Sequence, residues 1–266
     1  MNVAGVDVVL RLAIFVTVLL LLLILENQFR AREVLLRDGL RRLTNVLLFF
    51  AGLVVTRLLG PLVALNAALY ANSEGFGLLN NVELPAGFEL FVAMVLLDLS
   101  IYLQHVVTHK VPFLWRLHAV HHADSAVDVT TALRFHPLEI MLSMVYKVAI
   151  VIALGASWWA VLCFEIALNA LAMFNHANIR LSQKFDSWLV RFLVTPSMHV
   201  VHHSVQTTRQ QSNFGFGLSL WDRLFNTYSS RSLDPTPIGL SEKSSISDDG
   251  FIAMLRLPFG NKTLDR

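Results

Sequence analysis

Five long apolar runs constrain this chain more than any other feature of its sequence. They lie at about Val8 to Leu25, Leu43 to Leu69, Phe88 to Val107, Leu138 to Leu154 and Trp158 to Phe174. A bilayer's hydrocarbon core is ~30 Å thick and takes roughly 20 residues of helix to cross. Inside it every backbone N–H and C=O must be satisfied by the protein, which a single crossing segment achieves only as a helix. The sequence therefore predicts an all-α fold, a polytopic membrane helical bundle of about four to five spans. Composition agrees. Of 266 residues 55% are hydrophobic and 15% charged, with mean hydropathy +0.58, whereas soluble domains carry about a quarter charged residues. The net charge of +2, with no basic stripe interleaved with aromatics, argues against nucleic acid as a partner. Cys163 is the only cysteine. It sits in an apolar run, which rules out an internal disulfide and argues against thiolate chemistry.

Charge and turn residues between the runs give an orientation. Met1 to Glu26 is apolar with Arg11 near its start, and no small-residue cleavage site follows. It reads as a retained anchor with Arg11 snorkelling to the interface. Arg30, Arg32, Arg37, Arg41 and Arg42 then cluster without a lysine. Such a cluster beside two spans marks the cytoplasmic side, and Glu26 to Arg42 is expected as a short amphipathic helix on the membrane. Gly60-Pro61 should kink or break the second span, and Arg57 within it reads as a snorkelling side chain or a headgroup contact. Ala71 to Gly87 holds Gly75, Gly77, Asn80, Asn81 and Pro85 but no Lys or Arg, as an outer loop would. Gly155-Ala156-Ser157 joins the last two spans as a hairpin, and Lys147 has no obvious partner. Leu181 to Val194 reads as an interfacial helix, and Thr195-Pro196-Ser197 starts another. The expected organisation is an N-terminal anchor and interfacial segment over residues 1–37, a main domain over 38–228 and a soluble C-terminal tail over 229–266.

Histidine is concentrated where spans end. Nine of the ten fall in four short places: His105 and His109; His118, His121 and His122; His176; and His199, His202 and His203. Residues three and four apart share a helix face, so members of a group project together. Two copies of H-x-x-H-H in a chain with so few other histidines point to metal binding rather than to isolated core or surface residues. Neutral imidazole is the commonest side-chain ligand for zinc, iron and copper. Nine exceed the needs of one ion, whose structural sites take about four protein ligands; two metals sharing the set fit the count. Asp98 and Tyr102 precede His105 on the same face. Asp98 reads either as acceptor of a ligand's second ring N–H or as a hydrogen-bond partner of Tyr102 or a neighbouring helix. Asp124 and Asp128 read as solvated surface acids or as acceptors for the second cluster. His136, before Pro137, stands at a helix start as a candidate tenth ligand or as a cap. Trp221 and Phe225 have the spacing of core packing.

The order H-x-x-x-H, H-x-x-H-H, H-x-x-H-H, with Asp98 and Tyr102 ahead of it, resembles the sterol desaturase/fatty acid hydroxylase superfamily. So do Leu114-Trp115, Arg134-Phe135-His136-Pro137, Asn213-Phe214-Gly215 and Trp221-Asp222-Arg223-Leu224-Phe225, over about residues 38–228. The resemblance implies an integral membrane enzyme that hydroxylates or desaturates a lipid with two iron ions, dioxygen and externally supplied electrons. It implies that the nine clustered histidines hold the metals in a cytoplasmic helical cap, with His136 a candidate addition and Asp98 and Tyr102 tuning the site. The implied electron donor is a separate protein such as cytochrome b5 or ferredoxin with a reductase; no G-x-G-x-x-G nucleotide fingerprint occurs. The implied substrate is a sterol, fatty acyl, carotenoid or ether lipid, met in the inner membrane of a bacterium or the endoplasmic reticulum of a eukaryote. Spacing alone leaves two other classes open, a transition-metal transporter and a membrane zinc metallohydrolase. A transporter would line a path through the bilayer midplane, whereas these imidazoles are expected at one level. No H-E-x-x-H pair supplies a hydrolytic base. The chain departs from the family pattern at Asn226, where Gly is common before Thr227, and at Val106, where Arg is frequent. Neither touches an expected ligand, so both are expected to bear on substrate or partner.

Overall fold

The computed structural model describes residues 3–33, 38–60, 63–230, 237–240 and 250–260. Arg37, Pro61 and most of the expected tail lie outside the described residues. Within them every regular element is helical, and strand-like pairing is confined to isolated bridges such as Arg30 with Ile179. The bundle runs α1 (Val3–Gln28), α2 (Asp38–Leu58), α3 (Ala64–Glu74), α4 (Ala86–Lys110), α5 (Pro112–His122), α6 (Pro137–Leu154) and α7 (Trp158–His176). Helices α1, α2, α4, α6 and α7 are each long and apolar enough to cross a membrane. Their outward faces carry exposed Leu20, Leu21, Phe50, Val54, Phe91 and Val145, apolar surface that suits lipid better than water.

The second apolar run is two helices rather than one. Helix α2 stops at Leu58, and Gly60 takes φ +58°, a left-handed state glycine reaches without a Cβ penalty. Helix α3 then packs on α6 and α7, burying Ala71 and placing Ala64, Ala67 and Ala68 in a core with Leu97, Ile101 and Phe164. Ala71 to Glu74, expected in a loop, complete that helix. The turn beyond presses on the α6–α7 hairpin. A Cβ on Gly77 would stand 2.1 Å from the Gly155 nitrogen, so no larger residue fits.

Five charged residues, Arg11, Arg41, Asp124, Asp128 and Lys147, depart from their expected surroundings. Arg41 does not lie on the membrane surface: it is buried in the first turns of α2, where Nη1 donates to both Asp124 oxygens at 3.0 Å and Nη2 pairs with Asp128. Asp124 and Asp128 are accordingly buried, not solvated. Pairing of opposite charges, with further hydrogen bonds to the carboxylates, offsets the desolvation penalty that would otherwise keep either at the surface. Phe29 to Glu33 is irregular chain rather than an amphipathic helix. Arg11, expected to snorkel, pairs inside the bundle with Glu165, whose other oxygen accepts from Lys147 Nζ at 2.8 Å. Arg57 is exposed on α2.

Beyond α7 come short helices on one end of the bundle: α8 (Gln183–Leu189), α9 (Pro196–His202), α10 (Thr207–Gln210) and α11 (Leu220–Leu224). Residues 250–260, expected within a soluble tail, dock on the same end. Here α12 (Phe251–Arg256) buries Met254 with Leu48 and Val120, and Arg116 donates to the carbonyls of Pro258 at 2.7 Å and Gly260 at 2.6 Å.

Candidate metal centre

Four elements deliver the histidines to one place. Helix α4 carries His105 and His109 at its last turns, and α5 carries His118, His121 and His122 after Pro112 restarts the chain. His176 ends α7, while Pro196 starts α9 with His199 and His202, and His203 caps it. All nine rings are buried, none more than 3% exposed. They divide into two sets. His105, His109, His118, His122 and His202 form one; His121, His176, His199 and His203 form the other. Within each set one donor nitrogen per ring lies within 4.8 Å of the others. Both H-x-x-H-H copies straddle the division, because adjacent helical residues point about 100° apart. The sets share a wall, with His122 and His203 stacked at 4.6 Å between centroids.

The outer nitrogens fix the tautomers. His105 Nδ1 donates to the Phe214 carbonyl at 2.7 Å, His121 Nδ1 to that of Arg134 at 3.2 Å, His176 Nδ1 to that of Ala172 at 2.6 Å and His202 Nδ1 to that of Ser212 at 2.8 Å. His118 Nδ1 donates to Glu139 Oε1 at 2.6 Å. A neutral ring that donates through Nδ1 presents a lone pair at Nε2. Yet His105 and His118 face each other through Nε2 at 3.1 Å, as do His121 and His176. Two lone pairs at that distance repel unless a cation stands beside them. Burial first, and the His176 and His118 rings next, hold the His121 pKa well below the ordinary imidazole value, which disfavours a proton there. A metal ion suits the spacing: bonds of about 2.0–2.1 Å to nitrogen put neighbouring ligands about 3 Å apart. His199 Nε2 likewise faces His176 Nε2 at 3.0 Å and His203 Nε2 at 3.3 Å, and His122 Nε2 is buried with no hydrogen-bond partner among the described residues. The donor set fits two metal ions.

The remaining expected residues lie outside the two sets. Asp98 Oδ2 accepts from the Trp221 indole at 2.8 Å and from Leu218 N at 3.1 Å; of its two expected roles, the contact with a neighbouring segment is the one formed. A Cβ on Gly217 would lie 2.4 Å from Asp98 Oδ1, so the carboxylate closes on a loop that only glycine permits there. That loop presents the Phe214 carbonyl to His105. Tyr102 shares a 2.8 Å hydrogen bond with Thr227 and stacks on Phe225. His136 belongs to neither set: its Nδ1 accepts from Leu138 N at 3.2 Å, capping α6. Asn226 has φ +56°, which explains the family's glycine by backbone rather than by substrate or partner; Asn is among the residues that best tolerate that region.

Two contributors escaped the sequence. Asp222 accepts from Phe214 N at 2.8 Å and Gly215 N at 2.9 Å, so two carboxylates shape one loop. Glu139 lies three residues after His136; a carboxylate in the first turn of an apolar span was the available signal. Beside the first set opens a cavity of about 250 Å³, lined by His105, His118 and Glu139 and walled by apolar residues including Leu48, Phe49, Ile101, Ile140, Leu168 and Met173.

Helices long and apolar enough to span a membrane, with two adjacent buried imidazole sets at their ends, define an integral membrane protein whose histidine clusters could hold metal. The sequence pattern of the fatty acid hydroxylase family matches residues 90–227, just over half of the 266, and the chain belongs to that family. Over 179 residues it is 27% identical to ornithine lipid hydroxylase OlsE of Rhizobium tropici, covering 67% of this chain and 52% of that protein. It is 28% identical over 150 residues to alkylglycerol monooxygenase of Xenopus tropicalis, 55% of this chain and 32% of that one. Cholesterol 25-hydroxylase of Homo sapiens matches at 24% over 141 residues, 52% of this chain and 50% of that one. The chain thus spans about half the length of these relatives, or less. No solved structure matches it.

Proposed function

We propose that the protein is a membrane lipid hydroxylase that uses two iron ions, dioxygen and two electrons from an external donor. The observation that carries this reading is the junction of a two-set imidazole centre with an apolar cavity. In the net reaction a C–H bond becomes C–OH. Dioxygen, two electrons and two protons are consumed, and the second oxygen atom leaves as water. Imidazole nitrogen suits iron among other metals, and the relatives' names as hydroxylases and monooxygenases favour it. One ion would be held by His105, His109, His118, His122 and His202, the other by His121, His176, His199 and His203. When bound, the pair supplies the activation of dioxygen that no side chain provides.

The chain's own residues supply the rest. Glu139 and the carbonyls of Phe214, Arg134, Ala172 and Ser212 hold rings in the ligating tautomer. The apolar walls take a hydrocarbon segment out of water and bring it to the end where His105 and His118 stand. Lys110, Arg180, Lys184, Arg191 and Arg223 are exposed on the metal side, whereas residues 71–87 and 155–157 on the other side contain no Lys or Arg. By the positive-inside rule the metal side is cytoplasmic, and its basic face suits an acidic electron-donor protein. The test is expression with iron in a host lacking the protein, followed by mass spectrometry of whole-cell lipids. A lipid heavier by one oxygen, absent with His121→Ala, is expected. Unchanged lipids in an iron-replete, donor-supplied preparation would overturn the proposal.

A further inference from the structure

The cavity has a second polar end. Lys147 and Asn169 line it along with the residues of the metal end. On α6, Lys147 lies eight residues past Glu139, about 12 Å along the axis; on α7, Asn169 lies seven residues before His176, about 10 Å. Two helices thus place this polar level at a similar depth, well inside the spans and away from the ligands.

An ammonium at such depth is costly and usually functional. Lys147 Nζ has three N–H donors. Glu165 Oε1, at 2.8 Å, takes one. The other Glu165 oxygen is engaged by Arg11. Two Lys147 donors therefore stand at the wall of an apolar cavity, where a donor without an acceptor is expensive. A smaller cleft lined by Arg11, Ile14, Val18 and Ile166 shares Phe15, Asn169 and Met173 with the cavity. The smaller cleft therefore adjoins the cavity between α1 and α7.

We infer that Lys147 seats the polar group of the substrate, which is an amphiphile carrying an uncharged oxygen acceptor, hydroxyl or carbonyl, remote from the carbon that faces the metals. This rests on the hydroxylase reading for the identity of the reacting end, and on the cavity alone for the polar end. Glu165 is shared between Lys147 and Arg11 and leaves the cluster with one positive charge in excess. The acceptor is nonetheless uncharged, because a charged headgroup would have to leave water for a level well inside the spans, where a charge costs far more than a hydroxyl or carbonyl. Hydrogen bonds from a charged donor are about twice as strong as neutral ones, enough to orient a long apolar molecule in one of its two directions.

The test needs no turnover. The full chain, loaded with metal in nanodiscs of neutral phospholipid, is offered hexadecanol or hexadecane, and bound probe is measured. The wild type is expected to hold the alcohol about tenfold more tightly, the worth of one charge-assisted hydrogen bond. Lys147→Met should hold both alike, while Lys147→Gln, which keeps a donor, should retain a preference for the alcohol. Metal content shows whether the Met variant keeps its bundle; if it does not, the wild type and the Gln variant decide. A wild type that does not discriminate, a Met variant that still does, or an intact Gln variant that does not would reduce Lys147 to a clamp between α6 and α7. Because binding is read directly, absence of oxygenated lipid in cells overturns the enzyme reading and leaves this result standing.

Discussion

At the scale of single residues, what Nδ1 touches decides which nitrogen His105, His118, His121, His176 and His202 turn toward their sets. His118 depends on Glu139, and the predicted cost of Glu139→Leu is about 10–100-fold in metal affinity, with Glu139→Gln, which can still accept from Nδ1, falling between. Chelator competition on the purified protein measures it. The same burial sets a pH dependence. Burial first, then the neighbouring imidazoles, hold His121, His122, His199 and His203 well below the usual imidazole pKa. In the metal-free chain these rings stay neutral when folded but take protons when unfolded, below about pH 6.5. Stability should therefore fall as pH drops below that value, by up to about 1.4 kcal/mol per unit for each ring. Thermal unfolding of the metal-free protein at pH 7.5 and 5.5 checks the sign. Which histidines gather was legible in the sequence, because repetition of H-x-x-H-H marks them. Their division into sets was not, since each repeat feeds both. Nor were the acceptors on Phe214 and Ser212, carbonyls that no side chain announces.

At the scale of elements, the site depends on short segments that cannot stand alone. Seven-residue α9 is far below the length at which an isolated helix persists, and Asn213 Nδ2 ties it down by donating to the Met198 carbonyl at 2.9 Å. The connection from α5 to α6 is held by buried ions. Burial alone would raise the Asp124 carboxyl, but the Arg134 and Arg41 guanidiniums pull it below its ordinary value. Asp124→Ala removes a buried partner of Arg41 and should cost about 3 kcal/mol, read as a lowered midpoint of thermal unfolding. Asn226→Gly should be close to neutral, whereas Asn226→Val should destabilise by about 1–2 kcal/mol, since a β-branched residue fits the left-handed region poorly. The sequence showed α4, α6 and α7 to within a few residues because their apolar runs match a bilayer crossing. It misplaced Arg41, Asp124 and Asp128, since charge next to spans reads as surface until tertiary pairing buries it.

At the scale of the whole molecule, five spans bring residues nearly a hundred positions apart to one end of a bundle, where His105 meets His202 at 4.6 Å between centroids. Length and hydropathy were enough to anticipate that architecture. The docking of residues 250–260 was hidden, because a short apolar patch after a polar stretch carries no sign of what it will cover. The central claim is that the nine imidazoles form two neighbouring ion sites rather than one. Elemental analysis of the protein purified from iron-supplemented cells tests it most directly. Two iron ions per chain are predicted, falling to about one in His203→Ala, which depletes the four-ring set and spares the five-ring one. A wild type saturating at a single ion, or a His203→Ala variant still holding both, would contradict it.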